Sequence, residues 1–148
     1  MKYQIAQINV AKALAEMDSK VMQGFVSRLD EINAIADAAL GFVWRLQSEE
    51  GDSTSIRVFK DNLLLVNMSV WETFDDLKNY VYKSFHIELI REREAWFSKM
   101  GKPHQALWWI PAGHIPSLEE AKEKLEYIRK HGPGKDAFTF GRPFLIDN

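Results

Sequence analysis

The run Leu63-Leu64-Leu65-Val66-Asn67-Met68-Ser69-Val70-Trp71 constrains this chain more than any other feature. Successive side chains of a strand point to opposite faces, and both alternating sets are here mostly hydrocarbon. A strand of that kind has to be covered on both faces. A four-stranded sheet with about three helices leaves too little chain in 148 residues to cover both sides. A homodimer paired through sheet faces is the expected completion.

The elements around that strand follow from periodicity and punctuation. Tyr3 to Val10 reads as a first strand that faces something polar through Gln7 and Asn9. Val21, Met22, Phe25, Leu29, Ile32 and Ala36 recur at three- and four-residue spacing, which predicts one amphipathic helix over Asp18 to Ala38, stopped by Gly41. Phe42 to Leu46 is a second strand, with Phe42, Trp44 and Leu46 expected on one face and Val43 and Arg45 on the other. Glu49 to Ser53 is a polar loop, and Ser55 to Phe59 a short edge strand.

After Trp71, Thr73 and Asp76 have the spacing of a helix cap. The stripe of Phe74, Leu77 and Val81 is out of phase with Phe85, Leu89 and Trp96, which predicts a kink near Lys83-Ser84. Ala106 to Ile110 is the next strand, and Ser117 with Glu120 opens a last helix that closes at His131-Gly132-Pro133. An extended tail with Phe138 and Phe140 follows. The order is β-α-β-β-α-β with an added C-terminal helix, an α+β chain of ferredoxin-like type in a single domain over residues 1–148.

Composition narrows function by exclusion. Lys+Arg 19 against Asp+Glu 21 gives a net charge of −2, and no basic stripe alternates with aromatics, so nucleic acid is not expected as a partner. No apolar run is long enough to span a bilayer, so no membrane partner is expected and a cytoplasmic location is. The chain has no cysteine, and His104, His114 and His131 lack metal-ligand spacing; no metal and no cofactor are expected. Phosphate-loop and nucleophile-elbow spacings are missing too.

What is left sits on the helix after the long strand. With Leu89 as origin, Tyr82, Phe85, His86, Arg93, Trp96 and Phe97 all fall within about 80° at helical spacing, while Arg91 points away. An inward Arg93 needs a carboxylate, carbonyls or a ligand anion, because arginine keeps its charge and burying it unpaired is costly. His86 is placed for proton transfer. The bland readings stand beside these: an internal ion pair for Arg93 and a histidine bonded to a backbone carbonyl for His86. Asn9, Arg45, Asn67, Trp71, Tyr82 and Trp96 are the further candidates for lining a ligand site, with core packing as the alternative for the aromatics.

The blocks Ala38-Ala39-Leu40-Gly41-Phe42-Val43-Trp44-Arg45-Leu46, Leu65 to Glu72, Tyr82 to His86 and Arg93 to Phe97 carry a resemblance, as do Leu107-Trp108-Trp109-Ile110-Pro111-Ala112-Gly113-His114 and Ala137 to Phe140. Together they resemble a bacterial family known as domain of unknown function 3291. The resemblance implies the dimeric α/β-barrel superfamily, whose protomers pair sheet against sheet and hold ligands between sheet and helices. Its members include cofactor-free monooxygenases, haem-handling proteins and stress-responsive proteins. Haem-degrading relatives use an Asn on the first strand with a Trp and a His on the second helix. Asn9 and His86 match in type, and Tyr80 stands where the Trp is expected.

The resulting expectation is a homodimeric protein that binds a small molecule, acting as a cofactor-independent monooxygenase or isomerase on a flat aromatic or polyketide-like substrate. His86 would be its acid/base, and Arg93 or Arg45 would hold a developing oxyanion. The alternatives are a non-catalytic binding or stress-response dimer, and a haem-binding protein.

Overall fold

In the computed structural model, residues 2–15, 19–27, 29–46, 64–84, 97–98 and 104–146 are described. β1 (Tyr3–Ala13) is the spine of the sheet. α1 (Gln23–Val26) and α2 (Leu29–Ala38) lead into β2 (Phe42–Arg45), and β3 (Leu64–Trp71) into α3 (Phe74–Ser84). The short β4 (Phe97–Ser98), β5 (Gln105–Pro111) and the last helix, here α4 (Leu118–His131), follow.

β3 runs antiparallel to β1 from Ile5 opposite Trp71 to Lys12 opposite Leu64, and β2 pairs with the outer side of β3. The other side of β1 is shared: β5 takes Tyr3 to Asn9, and β4 takes Lys12 and Ala13. The order β2-β3-β1-β5, antiparallel throughout, is the ferredoxin-like arrangement expected from the sequence.

Local chemistry ends the helices where it was read. The Thr73 hydroxyl accepts from Asp76 N–H at 3.0 Å, and the Ser117 hydroxyl accepts from Glu120 N–H at 3.0 Å. At the far end of α4, Gly132 with φ +78° turns its N–H back to Ile128 C=O at 2.8 Å. The Glu120 carboxylate does not close a capping box. It accepts from Trp108 Nε1 at 2.8 Å and pairs with His114 Nε2 at 2.7 Å, tying the start of α4 to β5.

Two expectations are corrected. The helix predicted over Asp18 to Ala38 is two helices, α1 and α2. Gly24 weakens the first, and the Ser27 hydroxyl donates to Gly24 C=O at 2.9 Å, offering the backbone a local alternative to continuing the helix. In β2 the pairing slips between Phe42 and Trp44, so Phe42 and Arg45 share the face of Trp71 and Ser69 while Trp44 lies opposite with Val70. One irregular residue inverts a period-two reading from there on.

One face of the sheet is covered in part by the chain's own last helix. Ala6, Ile8 and Val10 of β1, Met68 and Val70 of β3, and Trp108 and Ile110 of β5 form that face, and Ala121, Leu125 and Ile128 of α4 belong to the same buried cluster. The chain's own last helix therefore covers part of it. The other face carries the second cluster, with Ile5, Trp71 and Leu107 packed under Leu77 of α3 and Phe138 of the tail. Phe138 extends the sheet edge through two backbone hydrogen bonds with Leu107, both 2.8 Å.

Candidate ligand-binding face

Strand register sorts the α3-side face into three rows. Phe42, Trp71, Ile5 and Trp109 form the first. It is closed: Trp71 is 0% exposed, stacks on Tyr80 with ring centroids 4.7 Å apart, and meets Phe42 edge-on at 5.5 Å. Trp109 donates its indole N–H to Phe144 C=O at 2.8 Å, so the tail seals this end of the face.

The second row is Arg45, Ser69, Gln7 and Leu107, and the third is Asn67, Asn9 and Gln105. A polar band thus crosses the middle of an otherwise apolar face. Trp71 Nε1 donates to Ser69 Oγ at 2.8 Å, and Gln7 Nε2 donates to the same oxygen at 2.9 Å. The second hydrogen of Gln7 Nε2 goes to Asn67 Oδ1 at 2.7 Å. An indole N–H only donates, so Trp71 anchors this network from the core side, and Asn67 ends it on the exposed side.

Asn9 stands outside the network. It lies directly opposite Asn67 on one side and Gln105 on the other. Its Oδ1 is buried and accepts no hydrogen bond among the described residues. Buried polar atoms without a partner are rare in native structures because the lost hydration is not replaced. Such an atom in a band of amides is a ready place for a ligand's donor.

The sequence-derived candidates fall into three groups. Asn9 and Asn67 are brought together as direct cross-strand neighbours. Arg45 reaches the same face, but its guanidinium is bound to Asp37 of α2 by Nε to Oδ1 at 2.8 Å and Nη2 to Oδ2 at 3.3 Å. Its side chain is 13% exposed, and the Asp37 pairing ties β2 to α2. Trp71, read as a pocket wall, lies wholly in the core, where its part is to hold Ser69. His86, Arg93 and Trp96 lie outside the described residues, as do the Ser55–Phe59 strand and the side chain of Tyr82. α3 ends at Ser84, and Phe85, Leu89 and Trp96, on the far side of the predicted kink, lie outside the described residues.

The sequence reading named Gln7 only as part of a polar strand face and passed over Ser69. A signal for both was present: Gln7 with Asn9, and Asn67 with Ser69, are i, i+2 polar pairs inside apolar strands, so each pair had to share a face. Among the described residues no group of three His, Cys, Asp or Glu could hold a metal ion. None of their helices is long and apolar enough to cross a membrane.

The family model for "Domain of unknown function (DUF3291)" matches residues 4–148. The chain belongs to this family. No curated protein matches it. Among solved structures, it is similar to PA3566 from Pseudomonas aeruginosa, with a TM-score of 0.47 and 14% identity over 74% of this chain and 94% of that one. It is also similar to SnoaB, a cofactor-independent oxygenase from Streptomyces nogalater, with a TM-score of 0.48 and 13% identity over 76% of this chain and 95% of the other.

Proposed function

We propose that this DUF3291 protein binds a small, flat, largely apolar molecule on the α3-side face of its sheet. One observation carries the reading: Asn9 Oδ1, buried and unpartnered, in a band of side-chain amides bordered by aromatic residues. Apolar walls with a few placed polar groups are what small-molecule sites are made of.

The chemistry proposed for the bound molecule is cofactor-independent oxygenation. Removal of a proton from an activated C–H leaves an enolate, which itself supplies the electrons to O2; one oxygen atom enters the product and the other leaves as water. His86 is proposed as the base and Arg93 as the partner of the enolate oxygen, with Asn9 and Asn67 orienting the ring system and Tyr82 and Trp96 walling it. The protein is proposed to work as a homodimer. Because α4 lies on the far face of the sheet, the second copy would meet α4 and the strands beside it.

Oxygen uptake with anthrone as substrate tests the chemistry: anthrone and O2 give anthraquinone and water. Uptake above the spontaneous rate, reduced about a hundredfold or more in His86→Ala, is the expected result. Anthrone that binds and quenches tryptophan fluorescence while uptake stays at the spontaneous rate would refute the oxygenase chemistry and leave a binding protein. Absence of binding would refute both.

A further inference from the structure

The network beside Asn9 has a polarity. Gln7 is 4% exposed and spends both hydrogens of Nε2, one on Ser69 Oγ at 2.9 Å and one on Asn67 Oδ1 at 2.7 Å. Ser69 Oγ is held in turn by Trp71 Nε1, which only donates. With Asn67 Oδ1 accepting from Gln7, the N–H2 of this exposed residue is the donor it has left to offer. Directly opposite, Asn9 Oδ1 is a buried acceptor with no partner among the described residues. Side chains opposite one another on paired antiparallel strands have Cβ atoms about 5 Å apart.

We infer that Gln7 is a positioning residue that fixes the Asn67 amide as a donor, so that Asn67 and Asn9 together recognise a neutral ligand with a hydrogen-bond acceptor and donor on neighbouring atoms, as in a lactam. This rests on the binding face proposed above. A carboxylate or phosphate brings two acceptors and would set one of them against Asn9 Oδ1; a simple ketone brings no donor for it. A cyclic lactam, whose C=O and N–H point the same way, satisfies both amides at once. Gln7 never touches the ligand. It acts by denying Asn67 the option of turning over.

The test uses 2-quinolone, its N-methyl derivative and indole as probes, read by tryptophan quenching and by the side-chain amide signals of Asn67 in 15N NMR. Wild-type protein is expected to bind 2-quinolone about tenfold more tightly than N-methyl-2-quinolone, the effect of losing one hydrogen bond. Both quinolones should shift the Asn67 N–H2 signal. In Gln7→Met, that signal moves in the free protein, and 2-quinolone binding weakens about tenfold, while preference over the N-methyl probe persists because it comes from Asn9.

Asn67→Asp is the second variant. It sits at an exposed position, leaves Gln7 its acceptor and removes the outward donor, so quinolone binding should fall as in Gln7→Met. Unchanged Asn67 signals and affinities in Gln7→Met would overturn the role of Gln7 and leave the binding face standing. Tighter binding of indole, a donor alone, than of 2-quinolone would show that Asn67 presents no donor to the ligand and would likewise overturn the inference. No binding of any probe by the wild type would overturn both the inference and the binding face.

Discussion

Gly41→Ala tests how α3 is seated above the sheet. Gly41 links α2 to β2 with φ +81°, a conformation costly to residues with a side chain. A Cβ added there would also lie 2.6 Å from Asp76 Cβ, well inside any real contact. Asp76 cannot retreat easily: its N–H is capped by Thr73 in the first turn of α3, and the next residue, Leu77, is 0% exposed. Gly41 itself is held, since its C=O accepts from Glu72 N–H at 2.8 Å. The backbone term is about 1–2 kcal/mol and the forced overpacking about 1–3 kcal/mol, which together give about 2–5 kcal/mol. With a urea m-value of about 2 kcal/mol/M, the unfolding midpoint should fall by about 1–2.5 M. Asp76→Gly separates the two terms. In that background Gly41→Ala should cost only the backbone term, leaving a coupling energy of about 1–3 kcal/mol. Equal costs in both backgrounds, or a single-variant loss under about 1 kcal/mol, would refute the close approach of Gly41 and Asp76.

Ser69→Ala leaves the indole N–H of Trp71 and one Gln7 N–H without an acceptor in a buried place. It should cost about 2–4 kcal/mol in urea unfolding, far more than a Ser→Ala change at the surface. Glu120→Ala strands the indole N–H of Trp108, which is 1% exposed, at about 1–3 kcal/mol. Glu120→Gln keeps an oxygen for that N–H and should recover most of the loss in the same assay. Equal losses for the two Glu120 variants would show that the Trp108 bond contributes nothing.

The legible parts of the fold were those decided within a few residues. Thr73, Ser117 and Gly132 were read as helix ends and act as such, because a cap is a contact between near neighbours in the chain. The antiparallel β-α-β-β-α-β order followed from the sequence of periods. What covers the two-sided strand β3 did not. The reading required cover on both faces without saying which element supplies it, and Ala121, Leu125 and Ile128, at i, i+4 and i+7 of α4, supply part of it from the same chain. An amphipathic stripe says that a helix packs against something; it does not say which side of the sheet the connection brings it to.

The candidate site depended on register, which is set by tertiary pairing. From the sequence, Asn9 and Asn67 were two candidate amides on separate strands, with nothing to show that they meet. The pairing of β1 with β3 places them opposite one another, and places Gln7 opposite Ser69 one step along. A shift of one residue in the pairing of β1 with β3 would put Gln7 and Asn9 on the face of Val66, Met68 and Val70. The apolar content of those even-numbered positions holds the register, because burying an amide row under α4 would leave its hydrogen bonds unmade. The same hydrophobic pattern that demanded cover on both faces therefore also positions the polar band, and it leaves Asn9 Oδ1 as the one buried side-chain acceptor without a partner among the described residues.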